Sequence, residues 1–92
     1  MLFRSAKTRP CVVLSVPFGD ADRAVVTLIA HTTNMRGSDF EVVVPTSFLK
    51  AGAFDAQNIV TVPNTKLLKK LGALSAVELQ QVEHAVLSWL GF

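Results

Sequence analysis

Arg9 stands directly before Pro10 at the entry to an apolar run, Cys11 to Val16 (CVVLSV). Thr32, Thr33 and Asn34 stand at the exit of the next such run, followed by Arg36. Proline biases the residue before it to an extended backbone, so the Arg9 side chain can project from the start of a strand. If the two runs are antiparallel neighbours, the start of one meets the end of the other, and a guanidinium and hydroxyl groups converge at one end of a sheet. A guanidinium grips a phosphate through two parallel hydrogen bonds, and a hydroxyl donates to the same oxygens. Residue types alone leave a surface ion pair open as the plain alternative, since arginine and threonine are common at sheet rims.

The other chemistry-bearing residues have structural explanations. Cys11, His31 and His84 share no metal-ligand spacing, and no C-x-x-C or H-x-x-x-H pattern occurs, so no metal and no cofactor is expected. Cys11 opens an apolar strand and reads as a small buried hydrophobe. His31 reads as a polar strand end and His84 as a solvated helix position. Glu78 and Glu83 belong to a helix, Asp20 and Asp22 to a turn held by Asx-type hydrogen bonds. Glu41 alternates with Phe40 and Val42 and should point to solvent.

The elements that must position Arg9 and Thr32 are mostly strands. Cys11–Val16 and Ala24–Thr32 are β-branched, apolar runs separated by the Pro17-Phe-Gly-Asp20 turn. Asn34 to Asp39 is a polar turn containing Gly37, and Phe40–Val44 is a third strand, stopped by Pro45. The second and third strands read as a hairpin. Thr46 or Ser47 can cap a helical turn through Phe48 and Leu49 that ends at Gly52. Ile59–Val62 is a fourth strand, and Asn64 caps a turn that carries Leu67 and Leu68 and is limited by Gly72. Ser75-Ala-Val-Glu78 is a capping box. Leu79, Val82, Val86, Trp89 and Leu90 then form one apolar helical stripe with Gly91 as its stop, so Trp89 is assigned to the core. The fold class is mainly β with a C-terminal α-helix, a small twisted sheet or barrel with a helix on one face.

Composition limits the rest. The chain has 92 residues, 50% hydrophobic and 17% charged, with a net charge of +2. A single domain spanning 1–92 is expected, and a disordered chain is excluded. No run approaches the ~20 apolar residues of a membrane-spanning helix. With one Cys there is no internal disulfide and no argument for an oxidising compartment, so a cytoplasmic location is expected. Arg4, Lys7 and Arg9 precede any acid, which suits a polyanionic partner. So apolar a small chain should hide surface in an oligomer.

At these residues the sequence resembles the MazF/PemK family of toxin endoribonucleases. Arg9-Pro10-Cys-Val-Val-Leu-Ser15 is similar to that family's RPxVVLS strand. Ile29-Ala-His-Thr-Thr-Asn-Met-Arg-Gly-Ser-Asp-Phe-Glu-Val-Val-Val44 is similar to the stretch xCTTQxKGxxFEVVL. Leu49-Lys-Ala-Gly52 through Val60-Thr-Val-Pro63, and Leu71-Gly-Ala-Leu-Ser75 with its following helix, continue the likeness from Lys7 to the end. The resemblance implies an SH3-like small β-barrel with a C-terminal helix, acting as a homodimer. It implies a type II toxin that cuts single-stranded RNA without a metal and is covered by a cognate antitoxin. The catalytic positions it implies are Arg9 and Thr32, with Thr33 the fallback by one residue. Arg4, Lys7, Thr33, Asn34 and Arg36 are the residues expected to line the RNA groove. Two alternatives share the fold: a gyrase poison, which ends near a Trp-Gly pair where this chain has Trp89-Leu90-Gly91-Phe92, and an inactive homologue that only binds antitoxin. The chain departs from the family at its start, where Leu2-Phe3-Arg4-Ser5 reads as the tail of a first strand. The expectation there is an exposed, unpaired sheet edge and a natural protein that begins upstream.

Overall fold

The runs of β-branched residues become strands because each can bury one face while pairing its backbone with neighbours. The computed structural model describes residues 2–5, 9–45 and 51–92, with the side chains of residues 4 and 5 outside that description. Among the described residues six strands form one antiparallel sheet: β1 (Leu2–Ser5), β2 (Pro10–Val13), β3 (Val25–Thr32), β4 (Glu41–Val42), β5 (Ala53–Pro63) and β6 (Leu67–Gly72). Their order across the sheet is β4-β5-β3-β2-β1-β6. A short 3-10 turn, Asn64–Lys66, joins β5 to β6, and the helix α1 (Ala76–Leu90) closes the chain. The fold class expected from the sequence is the one found, except that the sheet is open rather than closed into a ring: β4 and β6 are its two edges.

The core lies between the inner face of this sheet and α1. Leu2, Val12, Ile29, Val44, Phe54 and Val82 form its buried centre, flanked by Leu14, Val42, Ile59, Leu71, Leu74, Leu79 and Val86. The helix packs on β5 and β4. Its start is the expected capping box: Glu78 N–H donates to Ser75 Oγ at 3.2 Å, and Ser75 N–H donates to Glu78 Oε1 at 2.8 Å. Gly91 ends it in the left-handed conformation. The apolar stripe, however, is buried only in its middle, at Val82, with Leu79 and Val86 half-buried on either side. Trp89 stays 45% exposed, edge-on to Phe40, and Leu90 is exposed too, so neither belongs to the core.

Other expectations are corrected by long-range pairing. The proposed β3–β4 hairpin does not form, because β5 lies between them and pairs with both. The third strand contracts to Glu41–Val42. Leu67–Gly72 is a strand rather than part of a turn, because β1 offers it a backbone ladder. The Asn64–Lys66 turn carries no side-chain cap. That same pairing overturns the expected bare edge at the start of the chain: β1 is interior, hydrogen-bonded to β2 on one side and β6 on the other. The helical turn proposed at Thr46 to Leu49 lies outside the described residues.

The strand β5 runs much further than Ile59–Val62. Ile29 pairs with Ile59, but His31 pairs with Phe54, so β5 takes several more residues than β3 to cover the same interval. The surplus, Asp55 to Asn58, is a bulge, a device that breaks the ladder and redirects side chains. Asp55 Oδ1 accepts the Gln57 N–H at 3.0 Å and stabilises it as an Asx turn.

Candidate functional site

Pairing of β2 with β3 decides what Arg9 meets. Cys11 lies opposite Ala30, Val12 opposite Ile29 and Val13 opposite Leu28. Extending that register back along the chain sets Arg9 level with Thr32. The convergence inferred from the two runs is therefore real, and its product is a polar hollow of about 250 Å³ at one end of the sheet. Arg9, Thr32, Asn34 and Arg36 line it together with Ala30, His31, Glu41, Asp55 and Asn58. Thr33 is exposed and is not part of that lining. Lys7 and the side chain of Arg4 lie outside the described residues.

Thr32 is prepared for donation. Its Oγ1 accepts the Asn34 N–H at 3.1 Å, which uses a lone pair and leaves the hydroxyl proton free for a ligand oxygen. The same bond turns the chain into the loop that carries Arg36. The loop itself is built around Glu41. Both carboxylate oxygens accept the Arg36 N–H, each at 3.1 Å, and Oε1 accepts the Ser38 N–H at 2.9 Å. Gly37, at φ 76, gives the backbone the left-handed step that lets the two flanking N–H groups face one anion. These N–H groups, from Arg36 first and then Ser38, hold the Glu41 carboxyl below the usual carboxylate range. Glu41 is thus not a solvent-facing spectator: it orders the segment between Thr32 and β4.

Burial acts on His31 and Cys11 in opposite directions. His31 is only 4% exposed, not a solvated strand end. Its ring meets Phe54 edge-on at 5.1 Å, and among the described residues its Nε2 has no hydrogen-bond partner. Desolvation pushes its pKa down, so the neutral imidazole is favoured. Gly52 is needed at this point, because a Cβ there would overlap the Thr32 carbonyl oxygen and sit 2.8 Å from His31 Cε1. Cys11 is buried as expected, with its thiol donating to the Phe3 carbonyl at 3.3 Å, and burial raises its pKa. Asp22 Oδ2 accepts the Gly19 N–H at 2.8 Å, a bond that reaches back across the turn rather than forward as in the Asx turn expected there. Among the described residues no group of three or more His, Cys, Asp or Glu side chains could hold a metal ion.

Sequence reasoning missed Asp55, Asn58 and Glu41 as lining residues. The signal available was the polar stretch Asp55-Ala-Gln-Asn58 just ahead of an apolar strand, which marks a bulge only once the partner strand is known.

An open antiparallel sheet with a terminal helix, and a rim hollow offering a guanidinium and a hydroxyl, defines a small β protein suited to a phosphate-bearing ligand. The chain belongs to the family described as PemK-like, MazF-like toxin of type II toxin-antitoxin system, whose profile matches residues 4–90. Solved structures share the fold. The Mycobacterium tuberculosis toxin MazF-mt6 is 23% identical with a TM-score of 0.84, over 99% of this chain and 96% of that one. An endoribonuclease in complex with its cognate antitoxin, from Mycobacterial species, is 22% identical with a TM-score of 0.84, over 99% and 91%. The MazE-MazF structure (Form-III) from Deinococcus radiodurans is 23% identical with a TM-score of 0.82, over 98% and 91%. No curated protein matches the chain. Among the described residues no helix is long and apolar enough to cross a membrane.

Proposed function

We propose that this toxin is a metal-independent endoribonuclease that cuts single-stranded RNA at the Arg9–Thr32 hollow. The observation that carries the proposal is the strand register that brings Arg9 level with Thr32. In the reaction the RNA 2′-oxygen forms a bond to the adjacent phosphorus and loses its proton. The bond from phosphorus to the 5′-oxygen breaks, and that oxygen takes up a proton. The products are a 2′,3′-cyclic phosphate and a 5′-hydroxyl. Charge grows on the non-bridging oxygens at the transition state, where fixed donors matter most. Arg9 supplies two parallel N–H donors and a permanent positive charge. Thr32 supplies an O–H oriented by its bond from Asn34. Arg9 is a stabiliser of charge rather than a base, because a guanidinium hardly deprotonates near neutrality.

Arg36 and Asn34 share the hollow and extend it along the path of a strand of RNA. The exposed apolar residues of α1 and the C-terminus, Val77, Leu87, Leu90 and Phe92, offer surface for a homodimer partner or a cognate antitoxin. Action on cellular mRNA places the proposed toxin in the cytoplasm. The test is cleavage of RNA by purified protein in EDTA, with analysis of the ends. Wild type should cut and leave cyclic phosphate, whereas Arg9→Ala should lose about 10²–10³-fold in rate with an unchanged melting temperature. A strict Mg²⁺ requirement, 5′-phosphate ends or an active Arg9→Ala overturns the proposal. The exposure of Trp89 favours one second reading, a gyrase poison of the same fold. Gyrase inhibition without RNA cleavage would establish it.

A further inference from the structure

A groove that binds a polyanion has little use for an unneutralised carboxylate, yet two acidic residues line this one. Glu41 is accounted for, since its oxygens are taken by the Arg36 and Ser38 N–H groups. Asp55 lies directly opposite Glu41 across the β4–β5 ladder. Like charges in directly opposed positions are unfavourable unless something separates or satisfies them. Among the described residues Asp55 has one partner, the Gln57 N–H, and it is taken by Oδ1 alone. An ionised carboxylate offers about four acceptor sites, so most of its capacity is unused. The bulge holds Asp55 half-buried in the hollow that contains Arg9 and Thr32. A negative group kept beside phosphate-binding cations opposes the phosphate and is useful only toward a part of the ligand that donates hydrogen bonds. In RNA those donors are the ribose 2′-hydroxyls and the base edges, and only the base edges differ from one nucleotide to the next, so a carboxylate that discriminates must read a base.

We infer that Asp55 is a specificity-determining residue that selects guanine next to the cut phosphate by accepting from its N1–H and N2–H groups. The inference rests on the proposed RNA cleavage at this hollow. Guanine is the one RNA base whose Watson–Crick edge carries two adjacent donors, matching the two oxygens of a carboxylate. Adenine and cytosine place a donor beside an acceptor, and uracil places a donor between two acceptors, so each sets a lone pair against Asp55. Asn58, at the other end of the same bulge and lining the same hollow, carries the amide N–H that complements guanine O6. Single-stranded RNA leaves these edges free to be read.

The experiment has a cleavage arm and a binding arm. In the first, wild type, Asp55→Asn and Asp55→Glu cut a randomised RNA pool and the ends are sequenced. Wild-type sites should be enriched in guanine at one position flanking the cut. Asp55→Asn should keep cutting but lose that enrichment by about 10–100-fold, the discrimination of one bidentate base contact. Asp55→Glu should retain part of it. Melting temperatures of the variants confirm that each is folded. In the second arm, wild type binds oligonucleotides carrying a 2′-deoxyribose at the cut position, which cannot be cleaved. Replacing the flanking guanine by inosine, which lacks the N2 amino group, should weaken binding, and replacing it by uracil should weaken it further. No guanine preference in either arm, or an unchanged preference in folded Asp55→Asn, overturns the inference. If wild type binds guanine oligonucleotides selectively but cuts no RNA, the cleavage proposal fails and the role of Asp55 in base selection stands.

Discussion

Replacing Gly52 by alanine should damage the site from behind, through the backbone of Thr32 rather than through its hydroxyl. Gly52 packs against the end of β3, where a methyl group would overlap the Thr32 carbonyl oxygen, lie 2.8 Å from His31 Cε1 and lie 3.0 Å from the Thr32 carbonyl carbon. Carbon atoms settle at about 3.5–4.0 Å, so the backbones must part by roughly 1 Å. The His31 ring has little room to tilt, because it is buried and meets Phe54 edge-on at 5.1 Å. The Thr32 atoms are backbone and cannot rotate aside. Overpacking of this kind costs about 1–3 kcal/mol. In a chain this small, each kcal/mol lowers the melting temperature by roughly 4–8 °C. The displacement falls on the residue that holds the candidate hydroxyl, and a shift of about 1 Å in a catalytic group is worth about 10²-fold in rate. Single-turnover RNA cleavage and thermal unfolding should both report the damage. Gly19→Ala is the control, since a Cβ there meets only Asp22 Oδ2 at an ordinary 3.6 Å. A Gly52→Ala protein that matched Gly19→Ala in both rate and melting temperature would refute the reasoning.

Thr32→Ala should slow cleavage more than Thr33→Ala, because Thr32 lines the hollow and Thr33 does not; Thr32→Ser should restore most of the rate, and equal effects at the two positions would show that the hydroxyl is not the operative group. Glu41→Gln should loosen the 33–40 loop and weaken RNA binding at neutral pH while leaving the fold intact, as seen by faster amide exchange at Arg36 and Ser38. Since the folded Glu41 carboxyl titrates below its ordinary value, its contribution is present above the ordinary carboxylate range and is lost as pH falls through the depressed folded value; the loop's exchange protection should follow that course in wild type and not in Glu41→Gln. His31 also has a folded pKa below its usual 6.5, so the unfolded chain binds the proton first. Stability should therefore be full above about pH 6.5 and decline as pH drops toward the lowered folded value. His31→Phe should flatten that decline in urea titrations run at several pH values, and an unchanged slope would mean that another group controls it.

Much of the local architecture was legible in the chain. The capping box at Ser75 and Glu78, the Gly91 stop and the apolar runs of β2 and β3 are local, and their physics is complete within a few residues. The Arg9–Thr32 convergence was legible for the same reason: both residues lie at ends of strong strands, and pairing of those strands in one register was enough. Tertiary structure alone decided the rest. Leu67–Gly72 is a strand only because β1 is there to pair with it, and Leu2–Ser5 is covered only because β6 is there. Trp89 has the spacing of a core residue, yet the sheet ends before it and leaves it on the surface beside Phe40. His31 looks like a polar rim residue, but Phe54 and Gly52 enclose it. The acidic side of the hollow was the least readable part. Asp55 and Asn58 owe their positions to a mismatch in length between β5 and β3, and a mismatch belongs to the pair of strands, not to either sequence alone.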